Sequence, residues 1–235
     1  MRLVDLKISH YKSLTDIELT EIQLVTVFVG CNGVGKSNLV DALRFLRDAM
    51  NQGLDHAVST RGGIGLIRQY SPTKPFQISF DFGFTEKDDA AHVARYQLTL
   101  TSLREGHFRV ERERCEWFGP TDFGFDSENE EMVGYDFESM LAERNAEGRI
   151  TLKVAGKVVA LDNERPTPVD ALALGNRLTW VDFTPTHFGG EALREFILNF
   201  RFSAIYPNTL RHPAPPDTDP ILKENGANWA SILRT

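Results

Sequence analysis

The sequence holds only two cysteines, Cys31 and Cys115, too few for a disulfide framework and consistent with a reducing compartment. No stretch reaches the apolar length of a membrane helix, and the opening Met1-Arg2-Leu3-Val4-Asp5-Leu6-Lys7 lacks the apolar core of a signal peptide. The expectation is a cytoplasmic protein with no membrane partner. Basic charge is in deficit, with 26 Lys and Arg against 33 Asp and Glu and a formal net charge of −7. That balance argues against a surface that coats nucleic acid all over, while leaving room for a local basic groove. The six histidines, His10, His56, His92, His107, His187 and His212, form no i, i+4 pair and no Cys/His spacing for zinc. There is no Gly-x-Ser-x-Gly elbow and no Asn-Lys-x-Asp, which disfavours serine hydrolases and GTPases. Internal repeats and low-complexity arrays are also missing. What is present, 41% hydrophobic residues over 235, supports a real core in one large domain or two small ones.

Against this background one stretch stands out. Gly30-Cys31-Asn32-Gly33-Val34-Gly35-Lys36-Ser37 fits G-x-x-x-x-G-K-[ST], a loop whose backbone N–H groups cradle phosphate oxygens. Its context agrees with the motif. Leu24 to Val29 is apolar and β-branched or aromatic, as expected of a strand buried on both faces. Leu39, Val40, Ala42, Leu43, Leu46, Ala49 and Met50 recur at helical spacing, and Gly53 supplies a stop. A helix starting at the loop offers unpaired N–H groups and the positive end of its dipole to an anion. Lys36 is then expected to reach the terminal phosphates and the Ser37 hydroxyl to ligate Mg²⁺. Cys31 reads as a permitted filler.

The rest of the chain reads as follows. Leu3 to Tyr11 and Asp16 to Leu19 form two strands. Gln52 to Pro75 loses periodicity around Arg61-Gly62-Gly63 and Gly65, as in a flexible connection. Phe76 to Phe84 alternates, with Phe76, Ile78, Phe80, Phe82 and Phe84 on one face, and Arg95–Leu103 and His107–Phe118 continue an antiparallel meander through a turn at Arg104-Glu105-Gly106. Arg109, Arg112 and Arg114 interleave with Glu111, Glu113 and Glu116, which favours cross-strand ion pairs over a nucleic-acid surface. Gly119 to Glu143 carries eight acids and no Lys or Arg, so it reads as an insertion or mobile loop, with a metal site as the sharper alternative. A hairpin over 148–162 turning at Gly156-Lys157, a short helix opened by Thr167-Pro168-Val169-Asp170, a helix over Glu191–Phe200, a strand over Phe202–Tyr206 and an irregular Pro-rich stretch, Pro207–Pro220, complete the pattern.

Two groups of residues carry a family resemblance. Ile8-Ser9-His10-Tyr11-Lys12-Ser13-Leu14, then Gly30-Cys31-Asn32-Gly33-Val34-Gly35-Lys36-Ser37-Asn38-Leu39-Val40-Asp41-Ala42, resemble the head of RecF-like and SMC-like ABC-type ATPases, including OLD-family and phage-defence AAA ATPases. Leu222 to Leu233, with Asn225-Gly226-Ala227-Asn228-Trp229-Ala230, resembles a later segment of the same family. The resemblance implies an α/β fold: a P-loop NTPase, the N-terminal lobe of an ABC-ATPase-like head, with an antiparallel β meander and an acidic insertion. The domains expected are a nucleotide-binding core over 1–53, a β subdomain over 54–118, an insertion over 119–200 and a return to the core over 201–235. It also implies that Lys12 and Ser13 lie near the nucleotide, against the alternative of a solvated turn, and that Asn32 and Asn38 help shape the loop and the metal shell.

An ATPase of this family further needs an L-S-x-G signature, a strand ending in Asp-Glu and a switch His. By resemblance these follow the region this chain matches, and Val158–Asp162 and Leu178–Asp182 lack the second acid. The catalytic residues are therefore unassigned. The cofactors expected are ATP and Mg²⁺. The partners expected are a second copy or a second ATPase-head polypeptide, with DNA and a nuclease or toxin effector implied by the resemblance alone. Two rivals stay open: a non-hydrolysing module that uses nucleotide as assembly glue, and a P-loop phosphotransferase.

Overall fold

The computed structural model describes residues 1–69, 76–85, 93–118, 123–126, 131–134, 139–154, 157–159, 189–203, 217, 221–223 and 225–233. The backbone divides into two units, Met1–Leu198 and Asn199–Thr235. In the first, the strands are β1 (Arg2–Tyr11), β2 (Leu14–Leu19), β3 (Gln77–Thr85), β4 (Ala94–Ser102), β5 (Phe108–Trp117), β6 (Phe123–Asp126), β7 (Glu131–Gly134), β8 (Met140–Asn145), β9 (Ile150–Val154) and β10 (Lys157–Val159). The helices are α1 (Lys36–Gln52), α2 (Leu54–Ser59), α3 (Ile64–Ile67) and α4 (Gly189–Leu198). All but β6 and β7 join one sheet in the order β10-β9-β8-β5-β4-β3-β1-β2, every pair antiparallel, and β6 and β7 form a separate hairpin.

Alternation along β1, β3 and β4 gives the sheet one apolar face. Leu6, Ile8, Ile78, Phe80, Phe82, Phe84, Tyr96, Leu98 and Leu100 are buried. The stripe Leu39, Ala42, Phe45, Leu46, Ala49 and Met50 of α1 is buried too, as its 3.6-residue period requires. Phe45 stacks on Phe80 with centroids 5.6 Å apart and Tyr11 meets Phe80 edge-on at 5.6 Å. Phe196 of α4 meets Phe84 edge-on at 5.7 Å. The opposite face is polar and ion-paired: Arg95 donates twice to Asp81 at 2.8 Å, and Lys7 pairs with Glu18. No described helix is long and apolar enough to cross a membrane.

Several expectations are corrected. Leu24–Val29 is not a strand: the chain bends at Leu24 and Val25, and Leu24, Val25, Val27 and Val29 are each more than three-quarters exposed. Its composition asks for burial, but a strand also needs neighbours for its N–H and C=O groups. Among the described residues none lies alongside, and β2 already closes the sheet edge. The chain leaves that edge at Glu21, which takes φ 54, and is tied down by Ile22 N–H donating to the Val4 carbonyl and by Gln23 and Thr26 bonding each other. The stretch after Gln52 is more ordered than its glycines suggested. It contains α2 and α3, whose Leu54, Ala57, Val58, Ile64 and Ile67 are buried. Phe76 stays partly exposed beneath the Arg68 guanidinium.

The arginines of β5 do pair with acids, but among the described residues only Arg112 does so across strands, to Glu143 of β8. Arg109–Glu111 and Arg114–Glu116 are each two residues apart on the same strand. The end of the acidic stretch is β8 of the main sheet rather than a loop. The hairpin after Gly148 is β9–β10, with Gly156 of its turn outside the described residues, as are the helix begun at Thr167, Tyr206, and most of 207–220. Arg201, Phe202 and Ser203 take no strand pairing.

The second unit holds α5 (Trp229–Ile232). Asn228 is buried, its amide donating to the Ile221 carbonyl at 2.8 Å and its oxygen accepting the Lys223 N–H at 2.8 Å. Gly226 at φ 71 makes the bend that lets this asparagine close the turn.

Candidate functional site

The phosphate-type loop runs straight into α1. Gly35 is its N-cap at φ 106, ψ 4, and Gly33 takes φ 83, so two loop glycines sit where L side chains are strained. A cavity of about 250 Å³ opens here, lined by Asn32, Gly33, Gly35, Lys36, Ser37 and Asn38. No side chain caps the helix, so its first N–H groups face this cavity with no intrahelical acceptor. The Lys36 ammonium donates to the Gly30 carbonyl at 2.7 Å and the Cys31 carbonyl at 2.8 Å. An ammonium has three donors, so one remains for an anion.

The residues fit the expected group. A polyphosphate needs N–H donors, a positive dipole end and a point cation, and all three converge on one cavity. Mg²⁺ keeps most of its waters and takes one or two protein oxygens beside phosphate oxygens, so the Ser37 hydroxyl on the same wall suffices as the protein's contribution. Among the described residues no other group of metal-ligating side chains stands together.

The loop is braced from below by the β1–β2 hairpin, whose two-residue turn is Lys12-Ser13 between paired Tyr11 and Leu14. Asn38 Nδ2 donates to Ser13 Oγ at 2.7 Å, and a Cβ added at Gly35 would fall 2.8 Å from Leu14 Cδ2 and 3.1 Å from Ser13 Oγ. Leu14 is buried and cannot yield freely. Gly35→Ala therefore combines a clash with an unfavourable φ, and an expected stability loss of about 1–3 kcal/mol should accompany weaker nucleotide binding. Urea unfolding and calorimetry on the same variant check both. Equal stability and affinity would mean the turn does not press on the loop.

Of the residues singled out from sequence, Asn32, Gly33, Gly35, Lys36, Ser37 and Asn38 line one cavity, Gly30 holds Lys36 from behind, and Ser13 touches the wall through Asn38. Lys12 turns elsewhere. Its ammonium lies 2.5 Å from Asp41 Oδ2, in the second turn of α1, and it is not among the cavity-lining residues. Asp41 also accepts the Tyr11 hydroxyl at 2.7 Å and Arg61 Nε at 3.2 Å, and Arg61 Nη2 reaches Asp48 at 3.0 Å. Partial burial alone would raise the Asp41 pKa, but the hydrogen bonds from Lys12 and Tyr11 and the Arg61 charge hold it below the ordinary carboxylate value. Burial, reinforced by the Asp41 carboxylate, pushes the Tyr11 hydroxyl far up, so it stays a donor. Neither Asp41 nor Arg61 lines the cavity, and sequence reasoning does not bring the two together. The signal available was the spacing Asn38, Asp41, Phe45, Asp48, which places four residues on one stripe of the helix.

No curated protein matches the sequence. Among solved structures, a chain from work on ATP-driven dimerization and DNA-stimulated activation of SMC ATPases aligns over 85% of this chain and 100% of its own, at 14% identity and TM-score 0.31. The family described as "AAA domain, putative AbiEii toxin, Type IV TA system" matches residues 25–145, just over half of the sequence and including the whole phosphate loop and α1. The chain belongs to this family of AAA domains, nucleotide-binding ATPase domains with the P-loop NTPase fold.

Proposed function

We propose that the chain binds Mg·ATP through Gly30, Asn32, Gly33, Gly35, Lys36, Ser37 and Asn38, with Ser13 bracing the wall, as the N-terminal half of a RecF/SMC/OLD-like ATPase head. The observation that carries this reading is the cavity at the start of α1, where the helix N–H groups, the Lys36 ammonium and the Ser37 hydroxyl converge. ATP then draws two heads together, either two copies or this chain and a second head polypeptide. That role rests on the resemblance of the loop and of the Asn38-Leu39-Val40-Asp41-Ala42 run. The family description names a putative toxin of a type IV TA system, which supports a toxin as effector partner, while the setting in DNA repair or anti-phage defence rests on the resemblance.

A second reading has its own support. The cavity-lining residues include no Asp or Glu, so the wall described here holds no general base for water attack. On that reading the nucleotide serves assembly, and hydrolysis awaits groups brought by a neighbour. The exposed apolar run at Leu24–Val29 is a surface that such an assembly would cover.

Calorimetric titration with ATP and a non-hydrolysable analogue in Mg²⁺, sedimentation with and without nucleotide, and steady-state turnover test these readings together. Expected are micromolar-class binding of both ligands, a nucleotide-dependent rise in mass and negligible turnover by the chain alone. Brisk turnover by the isolated chain favours a complete catalytic set and removes the second reading. Failure of both ligands to bind removes the first as well.

A further inference from the structure

We infer that Lys12 acts on the nucleotide site as a positioning residue, through Asp41, and that Asp41 and Arg61 belong to the same positioning network, so that none of the three needs to touch phosphate. The inference rests on the Mg·ATP reading above and concerns how that site is held in shape.

Three observations carry it. The first is where Lys12 points. Its ammonium is engaged at 2.5 Å by a carboxylate in the second turn of α1, while the cavity is lined without it. The second is backbone strain. Lys12 takes φ 49 and His10 φ 59, a region that favours glycine, and such strain persists only where the surroundings over-determine it. Here they do. Lys12 N–H donates to the Ile67 carbonyl at 2.7 Å, Gln69 N–H donates to the His10 carbonyl at 2.8 Å, and Tyr11 and Lys12 both donate to Asp41. The third is the stripe on α1. Asn38 holds Ser13, Asp41 holds Tyr11, Lys12 and Arg61, Phe45 lies under the Arg61 guanidinium at 5.4 Å, and Asp48 takes the far end of Arg61.

The consequence is mechanical. One helix makes the phosphate site with its first turn, and along the same helix two loops are bolted down, the Lys12-Ser13 turn and the Arg61-Gly62-Gly63 turn. The first of these presses Ser13 and Leu14 against Gly35 and so sets the loop's distance from the hairpin. Arg61 has only 8% of its side chain exposed and also donates to the Ala57 carbonyl at 3.0 Å, so it fixes the carboxylates rather than reaching outward. Loosening any member shifts the turn, and the cost appears in the fit of the loop around phosphate.

The test is a double-mutant cycle on Mg·ATP affinity, on variants with native circular dichroism and measured well below their melting temperatures. Lys12→Met is expected to weaken binding about tenfold, Asp41→Asn at least as much because it also loosens Tyr11 and Arg61, and the double variant no more than Asp41→Asn alone, because both remove the Lys12–Asp41 pair. Arg61→Lys, which keeps the charge but loses the fork shared by Asp41 and Asp48, is the second probe, is expected to weaken binding, and should add little to Asp41→Asn. The inference is overturned if Lys12→Met weakens binding while Asp41→Asn does not, since Lys12 is then a direct ligand. It is equally overturned if the two effects multiply, or if neither variant nor Arg61→Lys changes affinity while Lys36→Ala abolishes it. Absence of any binding by the unmodified chain would strike at the Mg·ATP reading instead, which keeps the two failures distinguishable.

Discussion

Lys36→Ala is expected to weaken Mg·ATP binding by at least about a hundredfold, the largest functional effect of any single substitution in this chain. Two contributions add. The ammonium at the first residue of α1 is the only cation among the cavity-lining residues, and near a surface one charge pair at about 4 Å carries about 4 kcal/mol of Coulomb energy before solvation is counted. The same ammonium neutralises the Gly30 and Cys31 carbonyls by hydrogen bonding at 2.7 and 2.8 Å. Without it, those oxygens face the incoming phosphates unscreened. Lys36→Arg tests the geometry separately, because a planar guanidinium carries the charge but cannot place a compact donor between two carbonyls and a phosphate. Calorimetry on both variants reads the outcome. Affinity within threefold of the parent for Lys36→Ala would remove the loop as the nucleotide site.

How far the sequence revealed this site follows from which forces act locally. The loop and α1 were legible because glycines at fixed spacing and an apolar stripe at Leu39, Ala42, Leu46, Ala49 and Met50 answer to local sterics and helical period. The meander was legible for the same reason, through the alternation Ile78, Phe80, Phe82, Phe84. Leu24–Val29 misled because its composition reports a preference for burial, whereas strand formation depends on a partner that no local pattern supplies. By sequence Arg61 belongs to a glycine-rich connection. Gly62 and Gly63 do take positive φ, but they turn the chain so that the arginine folds back onto Asp41 and Asp48, twenty and thirteen residues earlier. Long-range ion pairs of this kind leave no period to read.

The alternation in β5 hid a further feature, because a bulge changes its phase. Thr99 pairs with Arg112 and Leu100 with Val110, so Glu111 is the extra residue. Val110 faces the core before the bulge, and Glu113 and Cys115 face it after. A glutamate that simple counting assigns to an ion-paired outer surface therefore lies inside.

Glu113 is 2% exposed, accepts the Tyr96 hydroxyl at 2.9 Å and faces Arg144, itself 1% exposed, across the β5–β8 pair at 3.7 Å. Burial and the Glu113 charge both push the Tyr96 hydroxyl well above its ordinary pKa, so it remains a donor to the carboxylate. Glu113→Ala is expected to cost about 3–5 kcal/mol, because it strips a buried guanidinium of its carboxylate and a buried phenol of its acceptor. Glu113→Gln keeps an acceptor for Tyr96 but not the charge, and falls short of the parent by nearly as much. Replacing the pair together, with Glu113→Leu and Arg144→Leu, recovers most of the loss, since desolvating two charges is itself expensive and an apolar pair avoids it. Urea unfolding with an unchanged m-value measures each step. Since Glu113 and Arg144 lie on β5 and β8, with β4, β3 and β1 between them and β2, nucleotide affinity of the folded fraction should hold in all three variants. A loss below about 1 kcal/mol for Glu113→Ala would show that solvent reaches this pair and that the phase change at Glu111 does not carry the glutamate into the core.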